Sequence, residues 1–72
     1  MGTIMMSSSG ASYEFEVGMT WAEFVESDYN TDGIFSINAY DEIDYRGQPV
    51  CSDIDGTICP ESGDVIVEGL YY

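Results

Sequence analysis

Tyr13-Glu14-Phe15-Glu16-Val17-Gly18-Met19-Thr20-Trp21-Ala22-Glu23-Phe24-Val25-Glu26 decides the fold, because its hydrophobic period changes from two to nearly four within a few residues. Tyr13, Phe15 and Val17 alternate with Glu14 and Glu16, which is the pattern of a strand buried on one face. Gly18 ends that strand. Thr20-Trp21-Ala22-Glu23 then spells a capping box, in which the Thr20 hydroxyl accepts from the Glu23 amide and the Glu23 carboxylate accepts from the Thr20 amide. Met19 and Phe24 flank the cap as a hydrophobic staple. Trp21, Phe24 and Val25 share one helical face, with Glu23 and Glu26 pointing away. The spacing predicts a helix from Trp21 to Ser27 or Tyr29, stopped by Asn30-Thr31-Asp32-Gly33 with Gly33 in a left-handed turn.

Upstream, Thr3 to Met6 reads as a short strand and Ser7 to Ala11 as a flexible turn, so residues 1–11 are expected to be flexible or an edge strand. Downstream, Phe35, Ile37 and Ala39 alternate with Ser36 and Asn38 as another strand. Ile43 and Tyr45 open a further one, Arg46-Gly47-Gln48-Pro49 turns the chain, and Val65-Ile66-Val67 reads as the last strand. Cys51 and Cys59 suit the arms of a hairpin around Ile54-Asp55-Gly56, with Gly56 left-handed. That register sets the cysteines opposite one another, either as a disulfide or as two small buried thiols. The expected class is α+β: a single domain over residues 1–72 with one helix packed on a four- or five-stranded mixed sheet.

Composition narrows the chemistry. Fourteen Asp and Glu face a single basic residue, Arg46, and there is no histidine, for a formal net charge of −13 in 72 residues. A field of that sign repels nucleic acid and anionic membranes and attracts basic protein surfaces or cations. The 44% hydrophobic content, with six Tyr, three Phe and Trp21, is that of a folding chain rather than a disordered acidic tail. Residues 1–13 lack the basic start and apolar block of a signal peptide, and no segment nears the ~20 apolar residues that span a bilayer. The expectation is a soluble protein in a virion or host cytoplasm.

Without histidine there is no Ser-His-Asp or Cys-His arrangement, and two cysteines complete no zinc pattern. Local acidity raises rather than lowers the cysteine pKa values. Three constellations remain. Asp28, Asn30, Asp32 and Gly33 reproduce the first half of an EF-hand loop, but Ala39 stands where the bidentate Glu belongs. The candidate is therefore a weak calcium site or an Asx-rich helix stop, and no other cofactor is expected. Glu14, Glu16, Glu23, Glu26, Asp41, Glu42 and Asp44 form a candidate acidic face. Glu14 and Glu16 are spaced roughly 6.6 Å apart along a strand, so the face is either a solvated surface or an imitation of a phosphate track. Tyr40, Tyr45, Tyr71 and Tyr72 at strand ends either extend a thin core or form a docking rim.

Two resemblances add to this reading. The order hairpin, helix, strands, closed by Gly63-Asp64-Val65-Ile66, resembles the β-grasp fold of ubiquitin-like and sulfur-carrier domains. The ending Gly69-Leu70-Tyr71-Tyr72 departs from the Gly-Gly that sulfur carriers use, which removes the carrier function. The run Tyr13 to Trp21, with Ser27-Asp28-Tyr29-Asn30-Thr31-Asp32-Gly33, resembles short uncharacterised phage and prophage proteins of gut bacteria over about a third of the chain. That resemblance implies a phage origin and brings no catalytic residue. The expected role is non-enzymatic: a virion-associated decoration or tail-linked component that contacts itself or a larger phage structural protein through sheet edges. The alternatives are an acidic inhibitor that fills the basic groove of a host nuclease, and a calcium-stabilised binding module.

Overall fold

The computed structural model describes residues 1–52, 56 and 58–72. Along the chain these give β1 (Gly2–Met6), β2 (Ala11–Phe15), α1 (Trp21–Glu26), a 3-10 turn (Thr31–Gly33), β3 (Phe35–Ile37), β4 (Ile43–Tyr45), β5 (Gln48–Pro49) and β6 (Gly69–Tyr71). The class is α+β, as the sequence indicates. The strands, however, form two three-stranded sheets, ordered β2-β1-β6 and β3-β4-β5, rather than one sheet of four or five. The first is mixed, with β1 antiparallel to β2 and parallel to β6, and the second is antiparallel throughout.

The sheets stay separate because their joining segments are committed elsewhere. Residues expected to form the last strand are held instead by the start of α1. Trp21 and Ala22 donate their amides to the carbonyls of Asp64 (3.0 Å) and Ser62 (2.8 Å), and Ile66 donates to the Met19 carbonyl (2.9 Å). Glu23 donates to the Thr20 hydroxyl (3.2 Å) and Phe24 to the Thr20 carbonyl (2.9 Å), so the first four amides of α1 all have partners. Val65-Ile66-Val67 is therefore not a strand. Only Ile66 is buried there, and the closing strand, Gly69–Tyr71, lies four residues later, beside β1.

The strand within residues 1–11 is not at an edge of its sheet. β1 is the central strand of its sheet, with Ile4 and Met6 fully buried, and Ser7–Gly10 is a four-residue turn closed by the Gly10 amide on the Met6 carbonyl (2.8 Å). Gly2 has no room for a Cβ, which would collide with the Phe15 ring. β2 stops at Phe15. Glu16 to Met19 form a turn with Gly18 at φ 88°, so Val17 leaves the core face and stands 77% exposed. The helix ends at Glu26, short of Ser27. Ala39 falls outside β3, and Ile37 lies at its exposed end. Arg46 and Gly47 are the two central residues of the β4–β5 hairpin, both at positive φ (52° and 79°), as a type I′ turn requires. The hairpin loop expected around Ile54-Asp55 lies outside the described residues, whereas Gly56 does take the left-handed φ (61°) assigned to it.

The core is aromatic. Phe35 lies within 5.0 to 5.9 Å, centroid to centroid, of Tyr13, Tyr45, Phe24 and Trp21. Ring edges meet ring faces in the Tyr13 and Phe24 contacts, the arrangement that the ring quadrupole favours. Its backbone is fixed by Asn30, the one buried polar residue among those described. The Asn30 side chain accepts from the Phe35 amide and donates to the Phe35 and Val25 carbonyls, each at 2.9 Å. Asn30→Ala strands those groups in an apolar setting, a loss of about 2–4 kcal/mol. Chemical denaturation should show that loss in midpoint with an unchanged slope.

Candidate functional site

The seven acidic residues of the candidate face come from several elements. Glu14 is exposed on β2 opposite Thr3, but Glu16 lies beyond the strand end and does not continue its face. Glu23 and Glu26 are exposed on α1, and Glu23 is engaged: one of its oxygens accepts from both the Thr20 amide and the Thr20 hydroxyl at 3.0 Å. Those two bonds hold its carboxyl below its ordinary pKa. In the β3–β4 connection Asp41 accepts from the Ser62 hydroxyl (2.6 Å) and Asp44 from the Asn38 amide group (3.0 Å), with Glu42 half-buried between them. Three of the seven are thus hydrogen-bond acceptors within the fold, and the seven come from β2, the turn after it, α1, the β3–β4 connection and β4.

The EF-hand-like residues are likewise drawn apart. Asn30 faces inward with its amide committed to Phe35 and Val25, whereas Asp28 and Asp32 are exposed, Asp32 at φ 62°. Among the described residues no three Asp, Glu or Cys side chains converge as metal ligands would.

Cys51 and Cys59 do come together, with their sulfurs 2.7 Å apart as free, half-buried thiols. The hydrogen bond with Cys51, reinforced by burial, pushes the Cys59 thiol up to about 11. Cys51 also accepts the Tyr72 amide at its carbonyl (3.1 Å), and Pro60, next to Cys59, accepts the Ile43 amide (3.0 Å). The thiol pair therefore stands where the end of β6 and the strand β4 are both anchored.

Tyr45 and Tyr71 are core residues, while Tyr40 and Tyr72 are exposed. The Tyr45 hydroxyl meets that of Tyr13 at 2.8 Å and lies 3.4 Å from the Ser9 hydroxyl. Bonds from Ser9 and Tyr13 lower the Tyr45 pKa, while burial is the main cause that pushes Tyr13 up to about 12. This hydroxyl cluster had no sequence signature, since its members come from the Ser7–Gly10 turn, β2 and β4.

The feature that sequence reasoning missed is apolar. Met5, Val17, Val65, Val67 and Leu70 are 41% to 77% exposed. They line two adjoining clefts. One, of about 450 Å³, runs between Gly2, Phe15 and Val17 on one side and Val65, Ile66 and Val67 on the other. The second, of about 260 Å³, is bounded by Thr3, Met5, Gly69 and Leu70. Glu68 lines both. The larger is within the size range of ligand clefts, about 300–1,000 Å³. In the sequence these residues carry a strand pattern, which places Val17 on a buried face and Val65 and Val67 in a final strand.

Among the described residues no helix is long and apolar enough to cross a membrane. No protein-family model, curated protein or solved structure matches the chain.

Two measurements check this geometry. A carboxyl whose pKa is lowered on folding adds stability that is complete above its ordinary value of 4.5 and fades as pH falls through the lowered one. The stability margin of the wild type over Glu23→Gln should therefore shrink on acidification, and a margin that widens contradicts the capping geometry. With an excess of a low-molecular-weight disulfide, Cys51 and Cys59 should exchange to an intramolecular bond with a mass loss of two hydrogens. Closing so short a loop raises stability by about 2–3 kcal/mol, read as a higher melting temperature that a reductant reverses.

Proposed function

We propose that the chain is a non-enzymatic protein-binding module, serving as a small virion-associated component that attaches to a larger phage structural protein. The observation that carries the binding role is the exposed apolar side formed by Met5, Val17, Val65, Val67 and Leu70, set on a fold only 26 × 25 × 21 Å across. Contiguous exposed apolar surface with a polar rim is a mark of protein contact. β2 adds an open border to the same sheet, and its outward Glu14 discourages indiscriminate strand pairing. The phage assignment draws on the resemblance of residues 13–33. The antiparallel β1–β2 hairpin followed by the parallel β1–β6 pair supports a β-grasp-like reading of the element order.

The nuclease-groove inhibitor draws on the net charge of −13, but a phosphate track needs a continuous row, and three of the seven acidic side chains are engaged as acceptors within the fold. It is the weaker reading. An epitope-tagged chain expressed during phage production should band with intact particles in a density gradient and stay bound in 1 M salt. Its confinement to the soluble fraction contradicts the particle role, and release by moderate salt points to a purely electrostatic attachment.

A further inference from the structure

The two clefts share one wall, and that wall is charged. Glu68 separates the larger cleft, beside Val17 and Val67, from the smaller one, beside Met5 and Leu70. The charged side chains adjoining these residues in the chain or across the sheet are also carboxylates: Glu16 lies between Phe15 and Val17, Asp64 precedes Val65, and Glu14 stands opposite Thr3 in the β1–β2 register, while the amino group of Met1 adjoins Gly2. The single basic side chain, Arg46, is in the β4–β5 turn of the other sheet, 5.4 Å from the centre of the Tyr45 ring.

We propose that this surface docks a cationic, apolar protein segment: a stretch presenting two apolar side chains with a Lys or Arg between them. The apolar groups enter the two clefts and the cation meets Glu68. The proposal rests on the protein-binding reading above and adds the partner's chemistry to it. An apolar side chain gains burial against Val17, Val65 and Val67 in one cleft or Met5 and Leu70 in the other. A cation between them meets Glu68, and the one basic side chain of the sequence, Arg46, belongs to the other sheet. A second copy of the chain is a poor occupant, because it brings the same glutamates to the same rim and a charge of −13 to the approach. An anionic membrane is disfavoured on the same ground. Gly2 and Phe15 pack together in the larger cleft, the ring filling the space a side chain at residue 2 would take.

The test uses the peptide acetyl-Leu-Ser-Lys-Ser-Leu-amide, titrated into the full chain while NMR follows the methyl groups of Val17, Val65, Val67 and Leu70. Saturable shifts at those methyls are expected. Binding should weaken about two- to fivefold in Glu68→Gln and about tenfold in Val67→Ser. Val17→Ser is a second apolar variant, and unchanged melting of each variant confirms its fold. Equal shifts from acetyl-Ser-Ser-Lys-Ser-Ser-amide overturn the proposal by showing that charge alone suffices. Equal shifts from acetyl-Leu-Ser-Glu-Ser-Leu-amide overturn it by showing that the carboxylate rim is irrelevant. Shifts that grow with protein concentration in the absence of peptide overturn it in favour of a second copy. If particles incorporate Glu68→Gln and Val67→Ser as well as wild type, the docking site is wrong and the particle role stands. If the peptide binds as described but particles lack the chain, the particle role falls and the docking site stands.

Discussion

Phe35 is the joint of the molecule. From β3 of the second sheet, its ring meets Tyr13 of the first sheet, Tyr45 of its own and both Trp21 and Phe24 of the helix, so a single side chain contacts all three units. Each such aromatic pair contributes roughly 0.5–1.5 kcal/mol beyond its buried area. The ring can be shared only if its backbone stays in place, and the Asn30 amide supplies that restraint by bonding both the amide and the carbonyl of Phe35. A chain of 72 residues has little interior to spare. Concentrating ring contacts on one residue stabilises two small sheets that share no continuous ladder.

The shortage of positive charge has a second effect on the architecture. Carboxylates without cations to pair with serve as acceptors for amide and hydroxyl donors. Glu23 takes both donors of Thr20, Asp41 takes the Ser62 hydroxyl, Asp44 takes the Asn38 amide and Asp64 takes the Glu61 amide at 2.8 Å. Such charge-assisted bonds are stronger than neutral ones, and here they staple the turns and the helix start. The acids that remain outward, among them Glu14, Glu16 and Glu26, are left to set the field that any partner meets.

Local signals were the legible part. The Thr20 to Glu23 capping box, the Tyr13 and Phe15 alternation and the Ile43 and Tyr45 strand all appear in the structure, because each is written within a few adjacent residues. Long-range choices were not legible. Val65-Ile66-Val67 has strong strand composition, yet the Ile66 amide bonds the Met19 carbonyl and the Ser62 and Asp64 carbonyls just before it answer the helix N-terminus, and tertiary demand overrides propensity. The Asx-rich run after the helix was recognisable as a stop. That Asn30 turns inward to hold Phe35, rather than outward beside Asp28 and Asp32, depends on a neighbour five residues away whose position the helix and both sheets decide. The apolar clefts escaped for the same reason: a valine in an alternating pattern carries no mark of which side of a strand end it will occupy.

The parallel pairing of β1 with β6 reaches into the kinetics of assembly. Met6 pairs with Tyr71, and the Ser7 hydroxyl donates to the Tyr71 carbonyl across 64 positions of sequence. The first sheet therefore cannot be finished until β6 has been synthesised, at about 5–20 residues/s. The β1–β2 hairpin must wait, with one border of β1 unpaired, until β6 arrives. Loop closure on that scale is entropically slow. In the interval the nascent polypeptide relies on its dense like-sign charge to keep clear of its neighbours, so the feature that burdens the finished molecule shelters the unfinished one.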